Sequence, residues 1–401
     1  MNSFNKKIFG TLFLSIFATV TGVGIVVPLL PVYAHDLGAS GLYIGLIFGS
    51  FSLSRTFFLP YFGRLSDKKG RKPFIVSGLF GYTLISLAFI ISNSVESLIV
   101  LRFIQGITSA LILPVTQAYV GDITPKGREG FTMGVFNMSI FLGLSIGPLV
   151  GGWVHDRFNL QATFLCMAFL ALIGFFSSLL LLPPTRAEQS LSRKNGLISW
   201  AHLLRDKELI GLFIFRFSFL SCIGIIMGFL PVYADSAFSL SSSSIGILVM
   251  LGIFVSGLMQ IPMGFLSDRI NRNLMIITGG LISGIAIFLF EWADGFWNLF
   301  FDNVLFGLGG GISMPALMAI ALIKGNNTKA MGSIMALMTV AHSMGMFAGS
   351  ILAGLIMDIF QLRQAFFLGS LIMGFGVCFF TVCVYAPKPN GLTRGIKRQQ
   401  F

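Results

Sequence analysis

Long apolar runs broken by short polar stretches make up nearly the whole chain. In order they are 8–33, 42–65, 72–92, 96–121, 128–155 and 160–183, then 210–234, 244–266, 272–292, 296–324, 329–357 and 363–386. About 20 apolar residues in a helix cross the ~30 Å of a bilayer's hydrocarbon. The runs are continuous rather than alternating, which predicts helices and not barrel strands. Only one polar break is long. The pattern therefore predicts an all-α polytopic membrane protein with twelve transmembrane helices in two pseudo-symmetric six-helix bundles. The first bundle covers 1–183, a linker 184–209, and the second bundle 210–401 with a short basic tail.

The two halves repeat each other. GRLSDKKGRKP at 63–73 returns as GFLSDRINR at 264–272, and LPVYA at 30–34 returns at 230–234. In each half the basic stretch falls between the second and third spans. Such a stretch cannot lie in hydrocarbon, so it reads as a tight turn on the water side. The large majority of the 27 basic residues sit in loops on that same side, whereas the opposite loops carry only Arg157 and Arg363. By the positive-inside rule this places both termini in the cytoplasm. Within the linker, GLISWAHLLRDKEL alternates apolar and charged positions at helical spacing. It predicts a helix lying on the bilayer surface with Trp200 at headgroup level. Trp153, Trp292 and Trp297 fall at the opposite boundary, as an aromatic belt does.

Composition narrows the class. The chain of 401 residues is 55% hydrophobic and only 10% charged, which excludes a soluble domain. A net charge of +12 is spread over loops with no soluble region large enough to grip nucleic acid. Cys166, Cys222, Cys378 and Cys383 all lie in apolar runs without ligand spacing, and read as small hydrophobes. No metal site, nucleotide loop or nucleophile–base pair is visible, so neither an enzyme nor a cofactor is expected. The run after Lys6 and Lys7 is too long for a signal-peptide core and reads as the first span. Short loops point to a prokaryotic cytoplasmic membrane.

Three motifs make the chain resemble the major facilitator superfamily. GRLSDKKGRKP meets every defined position of the G-x-L-x-D-x-x-G-R-[KR] signature between spans 2 and 3. LRFIQG at 101–106 resembles the R-x-x-Q-G motif of span 4. GLSIGPLVGG at 143–152 matches the G-x-x-x-G-P-x-x-G-G motif of span 5, associated with drug/proton antiporters. The resemblance covers the whole chain and is strongest to the twelve-helix multidrug efflux group. It implies a monomeric secondary transporter working by alternating access, with a small-molecule substrate, protons and lipids as partners. A proton gradient would drive it. It also implies a conformational latch at Gly63, Arg64, Asp67, Gly70 and Arg71, in which Asp67 faces a helix N-terminus. The second copy keeps Asp268 and Arg272 but has Asn271 where the first has Gly70. Gly143, Gly147, Pro148, Gly151 and Gly152 would give close, smooth contacts between the halves. Span 11 echoes them with Gly345, Gly349 and Gly354, with Ser350 in place of the proline.

Ionisable groups inside spans are functional candidates. These are Arg55 in span 2, Arg102 in span 4, Arg216 in span 7, Asp302 in span 10 and His342 in span 11. Gln105 lies one turn past Arg102 and could fix its geometry. Aligning the halves sets Arg102 against Asn303, which puts Asp302 at nearly the same depth. The alternatives at Asp302 are a pair with Arg102 across the cavity, broken by protonation, or a carboxylate reaching the outer surface. Arg216 is close enough to the cytoplasmic end to reach headgroups. Thr19, Thr21, Ser109, Thr116, Gln117, Ser218, Ser221 and Ser313 are further lining candidates. Span 1 has no acidic residue, unlike many exporters of cationic drugs. Three intramembrane arginines against one acid favour an organic anion, a siderophore-like metabolite or an amphiphile. Export is the direction the span-5 motif favours, with import or facilitation as the alternative and a receptor or enzyme on the same scaffold as the alternative class.

Overall fold

The computed structural model describes residues 3–125, 129–184, 206–328 and 331–385. Among the described residues it has twelve helices long and apolar enough to span a membrane. They are α1 Lys6–Asp36, α2 Gly41–Lys69, α3 Arg71–Ile91, α4 Val95–Ile123, α5 Thr132–Arg157 and α6 Leu160–Leu181. The second set is α7 Lys207–Phe238, α8 Ser242–Ser267, α9 Arg272–Trp292, α10 Phe296–Gly325, α11 Ser333–Ile359 and α12 Leu362–Tyr385. The amphipathic helix expected in the linker, with Trp200, lies outside the described residues.

Helix ends follow from local chemistry. Ser94, Asn159 and Asp206 each accept backbone N–H groups of the following first turn, at 3.2, 2.8 and 3.0 Å. These side chains satisfy donors that a helix start leaves open. α1 breaks at Val27–Pro28 before its last short stretch, Leu29–Asp36.

One expectation is overturned. GRLSDKK is not a tight turn; it continues α2 in helical form to Lys69. The charges extend the helix past the apolar stretch, where water satisfies them, and the reversal is left to Gly70 alone. Gly70 has φ of 90°, a conformation that side-chain-bearing residues avoid. In the second half α8 runs to Ser267, and Asn271 replaces the glycine for a visible reason. Its side-chain oxygen caps α9, accepting from Asn273 N at 2.9 Å and Leu274 N at 3.4 Å.

Each half packs in the same order. α1 lies against α5 and α6, and α7 against α11 and α12. α4 packs on α2 and α3, and α10 on α8 and α9. The halves meet mainly through two helix pairs, α2 with α11 and α5 with α8, with lighter contact of α1 and α2 on α7.

A cleft between the halves as candidate functional site

The end of the molecule carrying the basic loops is called here the basic end, and the other the far end. At the far end the halves are sealed by backbone contact. A Cβ on Gly354 of α11 would strike the backbone of Gly41 and Leu42 at the start of α2. A Cβ on Gly152 of α5 would strike Ser242 and Ser243 at the start of α8. One turn along, the carbonyl of Ser350 abuts Gly45, and the carbonyl of Pro148 abuts Gly246. Two carboxylates close the seal. Asp358 accepts from Gly41 N at 2.6 Å and Leu42 N at 2.9 Å. Asp156 accepts from Ser242 N at 3.0 Å and Ser243 N at 2.8 Å. Each thus caps a helix start in the opposite half, where the macrodipole favours negative charge.

At the basic end the same helix faces come apart. Gly63 lies 22 residues past Gly41 on α2, and Gly264 lies 22 past Ser242 on α8; at 100° per residue each falls within about 40° of the contact face. Gly134 lies 18 residues before Gly152 on α5, on one and the same face. A Cβ on any of the three would meet nothing within 4 Å. The result is a cleft closed at the far end and open at the basic end.

This geometry revises the role of the span-5 motif. Gly143, Gly147 and Gly151 do not face the other half. They seat α5 on α1, against Phe17 and Thr21, Thr21 and Gly24, and Ile25 respectively. Only Gly152 and the Pro148 carbonyl face α8. Gly345 and Gly349 likewise seat α11 on α7, against Phe217 and Ser221.

Arg102 belongs to the interior of the first half. Its Nη1 donates to Gln105 Oε1 at 2.9 Å and its Nε to the carbonyl of Ile47 at 3.3 Å. The guanidinium lies 5.1 Å from the Phe48 ring centre and 4.7 Å from that of Phe51. Gln105 passes the chain on, donating from Nε2 to Tyr82 Oη at 2.8 Å. The structure does not bring Arg102 to Asp302. Asp302 is largely buried. It is 7% exposed and makes no hydrogen bond or ion pair among the described residues. Asn303 is buried beside α8, near Gly252, and donates back to the Leu299 carbonyl at 2.9 Å.

Two further arginines and a histidine meet where the cleft begins. Ser52 of α2 donates to the carbonyl of Ser343 on α11 at 3.1 Å, the deepest polar link between these helices. Arg55 follows one turn toward the basic end, and His342 precedes Ser343 in the chain. Arg216 of α7 stands beside them, and His342 is within electrostatic reach of both arginines. Arg216 does not reach for headgroups: Nη1 rests on Met318 Sδ at 2.7 Å and Nε is buried without a partner. Several of the expected lining hydroxyls are unavailable. Thr19, Thr21, Thr116, Ser221 and Ser313 each donate to a carbonyl four residues back in their own helix.

Among the described residues, the ion pairs at the basic end stay within each half. Arg71 pairs with Asp67 and reaches Asp122 at the end of α4 at 3.1 Å, and its Nη1 donates to Ser66 Oγ at 2.9 Å. Asp67 therefore serves a guanidinium here and not a helix N-terminus. Arg272 pairs with Asp268 at 3.1 Å. Lys324 joins α10 to the start of α7 through Asp206 at 2.5 Å and Glu208 at 2.8 Å. Arg64 stands outside these pairs.

Asp156 and Asp358 are not among the candidates the sequence suggested. A signal was present. Gly152 and Asp156 are four apart, and so are Gly354 and Asp358, at matching places in the repeat. The glycine admits the neighbouring helix start and the aspartate one turn later caps it.

Two like halves packed around a one-sided cleft, with two arginines and a histidine at its roof, define a membrane carrier. Sequence comparison makes the class specific: the Major Facilitator Superfamily profile matches residues 12–241 and 212–399, and the chain belongs to that family. It is a multi-pass membrane transporter and not an enzyme. An uncharacterised MFS-type transporter of Methanocaldococcus jannaschii is 31% identical over 371 residues, covering 91% of this chain and 95% of that one. Multidrug resistance protein 1 of Bacillus subtilis is 26% identical, covering 93% and 95%. Among solved structures, the nucleoside transporter NupG superposes with a TM-score of 0.80 at 14% identity, covering 96% of this chain and 100% of that one.

Proposed function

We propose that this protein is a secondary transporter that exports a small organic molecule from the cytoplasm in exchange for protons. The observation that carries the carrier part of this reading is the one-sided cleft, and the span-5 motif and the efflux relative carry the direction. Its open mouth is at the basic end, which the positive-inside rule assigns to the cytoplasm. In this state cargo enters from the cytoplasm and is blocked from leaving on the other side. Breaking the two far-end caps and closing the basic end would release it outward, as alternating access requires. The similarity to a multidrug resistance protein over nearly the full length of both chains supports export. Asp302, the lone carboxyl group well inside a span, is the candidate proton carrier.

Purified protein in liposomes with an internal pH dye tests the reading. Cargo-driven proton movement against no imposed gradient, lost in Asp302→Asn, is the expected result. Cargo crossing with no proton movement would mean a facilitator, and accumulation toward the basic-end side would mean import.

A further inference from the structure

Arg55 and Arg216, with the His342 imidazole beside them, form a site of two guanidinium charges at the roof of the cleft, and no described carboxylate pairs with either. The location is set by contacts on either side of it. The Ser52–Ser343 link joins α2 to α11 just on the far-end side of the site. A Cβ on Gly345 would meet the carbonyl of Phe217, which holds the Arg216 stretch of α7 against the His342 stretch of α11. Arg55 lies 14 residues into α2, about 21 Å from Gly41 at 1.5 Å per residue, and so deep within the bilayer.

No described acid is placed to neutralise this site. Every described acid other than Asp302 lies near a helix end or in a loop, and no described carboxylate pairs with Arg55 or Arg216. Arg216 spends Nη1 on a thioether, a weak acceptor, and leaves Nε unbonded. Arg102, by contrast, has an amide, a carbonyl and two aromatic rings around it. Arg102 is therefore satisfied by the fold, whereas Arg55 and Arg216 are not. Uncompensated charge of one sign deep in a membrane is costly, and a ligand of opposite sign removes the cost.

We infer that Arg55, Arg216 and His342 bind the oxyanion of the cargo, and that the cargo is an amphiphilic organic anion. Its carboxylate, sulfonate or phosphate would lie between the guanidinium of one half and the guanidinium and imidazole of the other. Guanidinium forks suit such groups bidentately. Its apolar body would rest on neighbouring apolar side chains such as Met318, whose thioether touches Arg216. The site also has a mechanical consequence. Its two guanidiniums belong to different halves, so they repel while the site is empty; a bound oxyanion reverses that sign and draws the basic end together.

The inference rests on the transporter reading, but binding is tested apart from flux. The probe set is 1-pyrenebutyrate, its methyl ester and 1-pyrenebutylamine, which share a body and differ in head group. Equilibrium binding to the whole protein in zwitterionic-lipid nanodiscs is read by pyrene fluorescence. The carboxylate is expected to bind about tenfold or more tightly than either analogue, the scale of one good charged pair. Arg216→Gln and Arg55→Ala should each erase the preference while a thermal melt reports the fold. Equal binding of all three wild-type head groups, or preference for the amine, overturns the site without reference to any variant. Repeating the titration with phosphatidylglycerol in the nanodisc separates sources of the oxyanion. Unchanged affinity supports a soluble cargo, and abolished binding assigns the site to lipid headgroups and overturns the cargo claim. Loss of proton-coupled flux with selective binding intact would count against export alone.

Discussion

Asp358 on α11 accepts the backbone N–H of Gly41 on α2 at 2.6 Å, so a carboxylate of one half terminates a helix of the other. Asp156 does the same for α8. Replacing a helix-capping side chain by alanine costs about 1 kcal/mol. Asp156→Ala with Asp358→Ala should therefore weaken the far-end seal by roughly 2 kcal/mol, a shift of about 30-fold toward the far-end-open state. Spin labels at Leu37 and Phe360 would report this as a longer, broader distance distribution. Asn replacements retain one acceptor and should shift it less. An unchanged distribution in the double alanine variant would show that packing alone holds the seal.

Gly354→Ala tests that packing. The new Cβ would fall 2.6 Å from the carbonyl carbon of Gly41 and 3.0 Å from Leu42 Cα, and backbone cannot yield as a flexible side chain does. The same spin-label pair should move apart, and more than for loss of the Asp358 cap alone. Gly63→Ala is the counterpart at the basic end, where the added methyl meets nothing. It should leave this state unaltered, so any transport defect it causes must come from the state in which the basic end closes.

The spans, their number and the two-half repeat were legible because they rest on a coarse property, unbroken apolar length. Gln105 as the holder of Arg102 was legible too, since three residues along a helix bring two side chains together. Contacts between halves were much less so. A glycine in a span signals a close neighbour but not which one. Gly151 and Gly152 are adjacent in the chain, yet one faces α1 and the other α8. A 100° turn per residue decides that, and the sequence has no marker for where the seam lies. The basic stretch misled for a related reason. Charge shows that residues are outside hydrocarbon, but it does not show that the helix has ended. Asp302 was hardest, because a lone acid at the right depth fits both a cavity and a bundle interior.

Gln105→Leu separates structural from functional arginines. Its loss removes the acceptor of Arg102 Nη1 and the donor to Tyr82 Oη, leaving a buried cation with the Ile47 carbonyl and two rings. Unpairing a buried hydrogen-bonding group costs about 1–3 kcal/mol, more when it is charged. The expected outcome is a clear drop in melting temperature of the first half with the head-group preference of bound ligand unchanged. A variant that melts normally but loses that preference would place Arg102 in the cargo site after all.

Arg71 and Arg272 occupy matching places in the repeat but should not matter equally. Arg71 has 15% of its side chain exposed and ties the end of α2 to the end of α4 through Asp67, Asp122 and Ser66. Arg272 is twice as exposed at 31%, and its one acidic partner, Asp268, is 71% exposed. An isolated solvated pair of that kind contributes about 0–1 kcal/mol and fades in salt. Arg71→Ala should therefore destabilise by about 1–2 kcal/mol, with part of the loss reproduced by Asp122→Asn and little added by combining the two. Arg272→Ala should stay within about 0.5 kcal/mol. Thermal melts of the single and double variants at low and high salt measure both quantities. Equal losses at the two sites would mean that the second copy is held by contacts other than its visible pair.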